Sequence, residues 1–131
     1  MSQENVEIVR GAYAAMSARD LRRVSELARP DVEWIPDHRV GEGPIHGREK
    51  VIEFFIDRAS AFGQLDQEIQ QVWDVNDQVL LFIRVTGSGS ASGAEFDIRI
   101  AHLWTLQDGK LVRGEGFGNR DEALEAAGLS E

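Results

Sequence analysis

The chain lacks cysteine, and it has few prolines and no long apolar run. Among its 131 residues there is no cysteine and there are only three prolines. Without thiols there is no disulfide framework, no cysteine nucleophile and no thiolate metal site. No apolar run approaches the ~20 residues that cross a bilayer, and the N-terminal stretch has no signal-peptide core. We therefore expect a cytoplasmic protein without membrane contacts.

Positive charge is also scarce. Lys and Arg number 14 against 23 Asp and Glu, so the formal net charge is −9. Because nucleic acids and anionic membranes attract basic surfaces, neither is an expected partner. Hydrophobic residues make up 42% of the 131 residues, which is enough for one domain with a sizeable core. We predict a single domain over residues 1–131.

The first half of the chain predicts three helices and one strand. Apolar residues recur at intervals of three and four over residues 3–17, as in an amphipathic helix. Asp20 is a candidate cap for a second helix, which ends before the next proline. A short strand is predicted at Asp31–Ile35, and a loop over 36–46 leads to a third helix that begins near Gly47.

The second half predicts strands and a short terminal helix. The predicted strands are Gln67–Val75, Val79–Thr86, Ala94–Leu106 and Leu111–Phe117. Asp108-Gly109 indicates a tight hairpin between the last two, because primed turns need positive φ. Asn119 and Glu122 resemble a capping box for the terminal helix. Helices followed by a run of strands indicate an α+β fold with helices on one face of an antiparallel sheet.

Five segments carry a family resemblance. They are VEIVRGAYAAMSARDL, LARPDVEW, GREKVIEFF, DGKLVR and EALEAAGL. In this order they resemble the NTF2-like superfamily, and most closely its SnoaL-like branch. The resemblance covers essentially the whole chain and implies a cone of curved antiparallel sheet packed against three N-terminal helices, with a short C-terminal helix. Its relatives include polyketide cyclases, ketosteroid isomerases, epoxide hydrolases, dehydratases and binding proteins, so the fold does not settle the function.

The resemblance implies candidate acid and base residues by position. Asp37 lies within one residue of the base carboxylate of the superfamily's isomerases, and Tyr13 lies within one residue of their tyrosine. Their protonated carboxyl falls on Ala101, so one oxyanion donor is missing. Asp37 or the adjacent His38 is therefore the candidate acid or base, and a solvated loop is the alternative.

A second set of candidates follows from the epoxide-hydrolase pattern. Arg84 matches its arginine, but Thr86 and Gly116 stand where it has aspartates. Arg84 and Arg99 have the same strand parity as Asp97 and are candidates to bind an oxyanion or carboxylate. The alternative is a ladder of exposed ion pairs that contributes little stability.

The remaining expected site residues are apolar or small. Under the resemblance, the lining of the pocket is formed by Tyr13, Trp34, Phe54, Phe82, Thr86 and Gly116. Plain core packing is the alternative for the aromatic residues. No metal site is predicted, because the three histidines are scattered and no acid cluster accompanies them.

Two arguments disagree about the faces of the fourth predicted strand, Ala94–Leu106. Hydrophobic alternation turns Ile98, Ile100 and Trp104 toward the core and Arg99 toward water. The superfamily register implies the reverse and places Ile98, Ile100, His102 and Trp104 on the convex face. We follow the register, which predicts a homodimer that buries these four residues.

Together these features predict a protein that binds a small, mostly apolar, oxygenated molecule in the cone without a cofactor. As an enzyme it would transfer a proton next to a carbonyl, in a cyclisation, isomerisation or dehydration. The alternative is a non-catalytic ligand-binding or dimerisation module. A cavity of about several hundred Å³ around Asp37 or His38 would favour the enzyme, and a filled cavity would favour the module.

Overall fold

The computed structural model describes residues 2–129 and contains four helices and six strands in that range. The helices are α1 (Ser2–Ser17), α2 (Leu21–Leu27), α3 (Arg48–Ser60) and α4 (Arg120–Ala126). The strands are β1 (Ala28–Ile35), β2 (Ile45–His46), β3 (Phe62–Val75), β4 (Gln78–Gly89), β5 (Glu95–Gln107) and β6 (Lys110–Phe117). A 3-10 turn at His38–Val40 and the short β2 interrupt the predicted loop. Within residues 2–129, no helix is long and apolar enough to cross a membrane.

The local signals in the sequence produce the expected caps and turns. The Asp20 carboxylate accepts a hydrogen bond from the Arg23 backbone N at 3.2 Å and so caps α2. Asn119 caps α4 in the same way, with the Glu122 backbone N at 3.1 Å. Asp108 and Gly109 adopt φ values of 51° and 76°, which confirms the hairpin turn between β5 and β6.

The six strands form one sheet in the order β2-β1-β6-β5-β4-β3, and the sheet curls into a half-barrel. All neighbouring strands are antiparallel except β1 and β6, which pair in parallel. The sheet is therefore mixed, whereas we expected an antiparallel one. The relative direction of β1 and β6 could not be predicted, because the two strands come from opposite ends of the chain and no hairpin joins them. The predicted α+β architecture is confirmed.

The strands are longer than predicted at one end of the sheet. The glycine- and serine-rich stretch after Thr86 was expected to be a flexible connection, but β4 continues to Gly89 and pairs with Phe62 at the start of β3. Pairing with strands on both sides supplies backbone hydrogen bonds that the composition of this stretch does not reveal.

The sheet has two differently covered faces, which we call the inner and the outer face. The inner face packs against α1, α2 and α3 through residues such as Val9, Leu27 and Val51. The outer face packs against α4 through Ala123 and Ala127. Because side chains alternate along a strand, each strand contributes to both faces.

The predicted orientation of β5 is wrong. Ile98, Ile100, His102 and Trp104 point to the inner face, where His102 and Trp104 are only 7% and 5% exposed. Hydrophobic alternation was the correct guide, because a register carried over with an error of one residue exchanges the two faces. Of the four residues, only Ile98 is exposed. A homodimer remains a prediction, but these side chains do not form its surface.

Gly114 separates two tryptophans that face each other across three strands. It pairs with Trp34 on β1 and with Trp104 on β5. A Cβ atom at this position would lie 2.6 Å from both indole rings, closer than packed atoms approach. The glycine thus lets Trp34 and Trp104 lie over β6 with ring centroids 5.3 Å apart.

Replacing this glycine should destabilise the fold. We expect Gly114→Ala to lower the free energy of unfolding by about 1–3 kcal/mol, because the added methyl group forces the indole rings out of their packing. Urea denaturation followed by circular dichroism measures the change. Gly43→Ala is the matched control, since nothing lies within 4 Å of a Cβ there. Equal stability of the two variants would contradict the packing argument.

Candidate functional site

Aromatic rings are concentrated on the inner face around Trp34. Its ring centroid lies 4.8 Å from that of Phe55 on α3, 4.8 Å from that of His102 and 5.3 Å from that of Trp104. The ring centroids of Phe54 and Phe55 lie 5.5 Å apart. The Arg58 guanidinium lies over the Phe54 ring, 4.7 Å from its centroid. The rings occupy this part of the cone, and Trp34 is only 3% exposed.

A hydrogen-bonded chain crosses this cluster. The Trp104 indole Nε1 donates to the Tyr13 hydroxyl oxygen at 2.8 Å. The same hydroxyl lies 2.5 Å from His102 Nδ1. Burial raises the pKa of Tyr13 above its ordinary value, although the bond from Trp104 works against this shift. Tyr13 therefore stays protonated at neutral pH, and α1 and β5 are linked through polar groups inside an apolar core.

His102 combines burial with an unused ring nitrogen. Burial lowers its pKa to about 4, so the imidazole is neutral at pH 7. Among residues 2–129, none forms a hydrogen bond with its Nε2 atom. Along the same face of β5, exposure rises from 7% at His102 through the half-buried Ile100 to 48% at Ile98. Exposure along this apolar face therefore increases steadily from His102 toward Ile98.

Asp37 lies beside this cluster, but its carboxylate is fully engaged. The Asp37 backbone N is 3.7 Å from where a Cβ of Gly116 would stand, and Gly116 pairs with His102. Its carboxylate accepts hydrogen bonds from Gly118 N at 2.6 Å, Arg39 N at 2.8 Å and the Arg39 guanidinium at 3.1 Å. Burial disfavours the charge, but these bonds outweigh it and hold the pKa of Asp37 below its usual value. Asp37 is thus a weak base.

Arg39 joins Asp37 to the C-terminal helix. Its guanidinium also donates to the Glu122 carboxylate at 2.7 Å, and this bond lowers the pKa of Glu122. The exposed His38 ring lies 3.4 Å from the same carboxylate. Asp37, His38 and Glu122 form a group of the size that holds a metal ion, contrary to the expectation that no acids accompany a histidine. However, the Arg39 guanidinium already donates to both carboxylates and so occupies oxygens that a metal ion would use.

Arg84 and Arg99 lie on the outer face, so they cannot share a ligand with Tyr13 and Trp34. They pair with each other across β4 and β5, between inner-face neighbours such as Ile83 and Ile100. Arg84 forms two hydrogen bonds with Asp97, at 3.0 and 2.6 Å, and this pairing lowers the pKa of Asp97. All three charged side chains are more than a third exposed. The geometry matches an exposed ion-pair ladder.

Phe82 and Thr86 are also separated from the inner cluster. Phe82 packs on the outer face between Trp73, at 4.6 Å, and the Arg120 guanidinium, at 4.5 Å from its ring. Thr86 lines an open cleft of about 440 Å³ near Asp97. A second open cleft of about 530 Å³ lies at the turns that join β3 to β4 and β5 to β6. Neither cleft includes Trp34, Asp37 or His102.

Sequence reasoning missed the burial of His102 on the inner face, although a signal was present. The alternating stripe Ile98, Ile100, His102 and Trp104 places one titratable residue among apolar ones. Its assignment to a dimer surface hid the unusual burial of this histidine. By contrast, Tyr13, Trp34, Phe54 and Gly116 lie on or beside the inner cluster as expected.

A curled sheet with helices in its hollow defines the NTF2-like class, and comparisons with known proteins agree. The chain belongs to the SnoaL-like domain family, whose model matches residues 9–114. No curated protein matches it. A candidate SnoaL-like polyketide cyclase from Jannaschia sp. CCS1 is 23% identical, with 100% of this chain and 95% of that one covered and a TM-score of 0.82.

Two further solved structures share the fold. TerC, co-crystallised with polyporic acid, is 24% identical over 95% of this chain and 98% of its own, with a TM-score of 0.78. A ketosteroid isomerase-like protein from Catenulispora acidiphila, in complex with trimethylamine, is 17% identical over 94% and 93%, with a TM-score of 0.74. At such identities the likeness establishes the fold and leaves the chemistry to the residues of this chain.

The contacts of Arg39 should make the fold sensitive to acid. Because the pKa values of Asp37 and Glu122 are lowered, their stabilisation is complete above their unfolded values and is lost as pH falls through the folded ones. We expect Arg39→Gln to be less stable than the wild type at pH 7 and to approach it below about pH 3. Urea midpoints across this range measure the difference.

A matched control separates this effect from general acid sensitivity. Arg22→Gln removes an arginine whose side chain is 91% exposed and whose distance to Glu26 is 3.8 Å. Its stability difference from the wild type should stay small at every pH. The titration of His102 affects all three proteins and cancels in the comparison. An Arg39→Gln difference that persists unchanged at pH 2 would rule out the carboxylate explanation.

Proposed function

We propose that this protein binds a small, mostly apolar, uncharged molecule on the inner face and contacts a ligand oxygen through His102. The observation that carries the proposal is a buried, neutral imidazole with one free nitrogen among aromatic rings. Among the described residues, the only fully buried side-chain nitrogen or oxygen without a partner is Asp74 Oδ1, so His102 Nε2 is not sealed in the core and can reach a ligand oxygen.

The apolar character of the ligand follows from the surroundings. Ile98 and Ile100 provide an aliphatic surface that becomes more buried toward His102. Phe55 faces the same imidazole with ring centroids 6.4 Å apart. Few polar groups among apolar walls are typical of small-molecule sites.

The charge distribution favours a neutral ligand over a carboxylate. Arg84 and Arg99 lie on the outer face, and the Arg39 guanidinium is held by two carboxylates. The neutral His102 can bond to a ligand oxygen but supplies no charge to balance an anion. The relative that was co-crystallised with polyporic acid supports a small-molecule role for the fold.

A pair of matched probes tests the proposal. 1-Tetralone is a neutral bicyclic ketone, and tetralin is the same skeleton without the oxygen. We expect quenching of tryptophan fluorescence to show tighter binding of tetralone, and His102→Phe to weaken that binding about tenfold while leaving tetralin unaffected, because one buried hydrogen bond is lost.

Variants on the other face provide the control. Arg84→Ala and Arg99→Ala should leave tetralone affinity unchanged, because both side chains lie across the sheet from His102. If these variants weaken binding and His102→Phe does not, the ligand site lies on the outer face. If neither probe binds at millimolar concentration, the proposal fails.

A catalytic version of the proposal uses the same site. Asp37 is ionised, its backbone N lies beside Gly116 and its carboxylate lies beside Gly118, so in a catalytic scheme it is the carboxylate that would take a proton beside a bound carbonyl. Its pairing with Arg39 weakens it as a base, and this favours binding over turnover. The exposed His38 ring contacts Glu122 and is not needed in this scheme.

Hydrogen exchange at the carbon next to the ketone separates binding from turnover. In D2O, an enzyme of this kind should speed the loss of the C2 proton signal of 1-tetralone. We expect Asp37→Asn to reduce that rate at least about a hundredfold, as for the loss of a general base, and His38→Gln to leave it unchanged. An exchange rate equal to that of buffer would identify a binding protein.

A further inference from the structure

We infer that Trp104 is a positioning residue that makes His102 present an N–H donor, at Nε2, to the ligand. The significance of this inference for ligand choice rests on the proposed function. The tautomer itself is a property of the free protein and can be tested without any ligand.

The direction of the first hydrogen bond follows from chemistry alone. An indole nitrogen carries a hydrogen and has no lone pair that can accept. In the 2.8 Å contact, Trp104 Nε1 is therefore the donor and the Tyr13 oxygen is the acceptor. The Tyr13 O–H bond therefore cannot point toward the indole, because that side of the oxygen accepts the indole hydrogen.

The direction of the second hydrogen bond follows from the first. Tyr13 has a single hydroxyl proton, and His102 Nδ1 is the only acceptor that the described residues offer it. If Nδ1 carried a proton instead, the Tyr13 oxygen would accept twice and its own proton would be left unpaired in the core. In the arrangement that pairs every donor, Trp104 donates to Tyr13 and Tyr13 donates to His102.

This arrangement fixes the histidine tautomer. A neutral imidazole carries one proton, and Nδ1 is used as an acceptor, so the proton is on Nε2. Nε2 is also the atom that no described residue contacts by a hydrogen bond. The site therefore offers a donor and selects ligand oxygens that accept, such as those of ketones, quinones and ethers.

The same chain restricts what His102 can do chemically. If Nε2 gave up its proton, Nδ1 would have to take one from Tyr13, which would leave a buried phenolate that accepts from the Trp104 N–H and from the new Nδ1–H. Burial raises the pKa of Tyr13 and opposes this transfer. His102 would thus stabilise a developing oxyanion by hydrogen bonding and keep its own proton.

Nitrogen NMR of the ¹⁵N-histidine-labelled protein tests the inference directly. At pH 7 we expect the wild-type His102 to show its N–H at Nε2 and a bare Nδ1. Trp104→Phe removes the donor and leaves space in which the Tyr13 proton can turn toward water. The ratio of the Nε2–H to the Nδ1–H form should then fall about tenfold.

Trp73→Phe is the matched control. Trp73 packs against Phe82 on the outer face, so the same substitution there should leave the His102 tautomer as in the wild type. An N–H at Nδ1 in the wild type would overturn the inference. An unchanged ratio in Trp104→Phe would show that Trp104 has no positioning role.

Two further outcomes remain informative. If Trp104→Phe does not fold, Tyr13→Phe replaces it. In that variant the Trp104 indole N–H should exchange faster with solvent. The proton of His102 should no longer be confined to Nε2, because Nδ1 no longer accepts a hydrogen bond from a hydroxyl. Unchanged exchange and an unchanged tautomer in Tyr13→Phe would overturn the inference that the hydrogen bonds from Trp104 through Tyr13 fix the His102 tautomer. If the tautomer is as expected but 1-tetralone does not bind, the proposed function fails, while the inference that Trp104 and Tyr13 fix the tautomer of His102 stands.

Discussion

The contact of two indole rings over Gly114 is the constraint on which the inner face depends. Trp34 and Trp104 come from strands on either side of β6 and meet only because the residue between them has no side chain. Their position sets the rest of the site. Trp34 supports the His102 ring, and Trp104 holds the hydroxyl that orients it. Packing and polar chemistry are thus parts of one arrangement.

The alternation of a β-strand divides the chemistry of this protein between two faces. On the inner side of β5 the chain presents aliphatic, imidazole and indole groups, and on the outer side it presents Asp97, Arg99 and the partner Arg84. Charges that face water are stabilised by solvent and by one another at little cost, whereas a single polar group in the core requires specific partners. The inner face therefore suits the uncharged ligand that we propose.

The Asp37 carboxylate illustrates a competition between anchoring and catalysis. Its bonds to Gly118 and Arg39 tie the segment after β1 to the start of α4, and the Arg39–Glu122 pair extends this link. Each bond that stabilises the ionised form also makes the group a weaker base. A chain that uses this carboxylate as an anchor has less reason to use it for proton abstraction, which is consistent with a binding protein of the family.

The sequence by itself determined the order of the four helices and the five longer strands, the caps at Asp20 and Asn119 and the hairpin at Asp108-Gly109. These depend on neighbours within about four residues, so local propensity suffices. It also predicted that Tyr13 and Trp34 lie on the same side of the sheet, where both pack on the inner face. Only the tertiary structure decided which face of β5 is buried, because a shift of one residue exchanges the faces without changing the pattern. It alone brought Glu122 to Arg39 and Tyr13 to His102, since contacts between residues more than eighty positions apart leave no local signal.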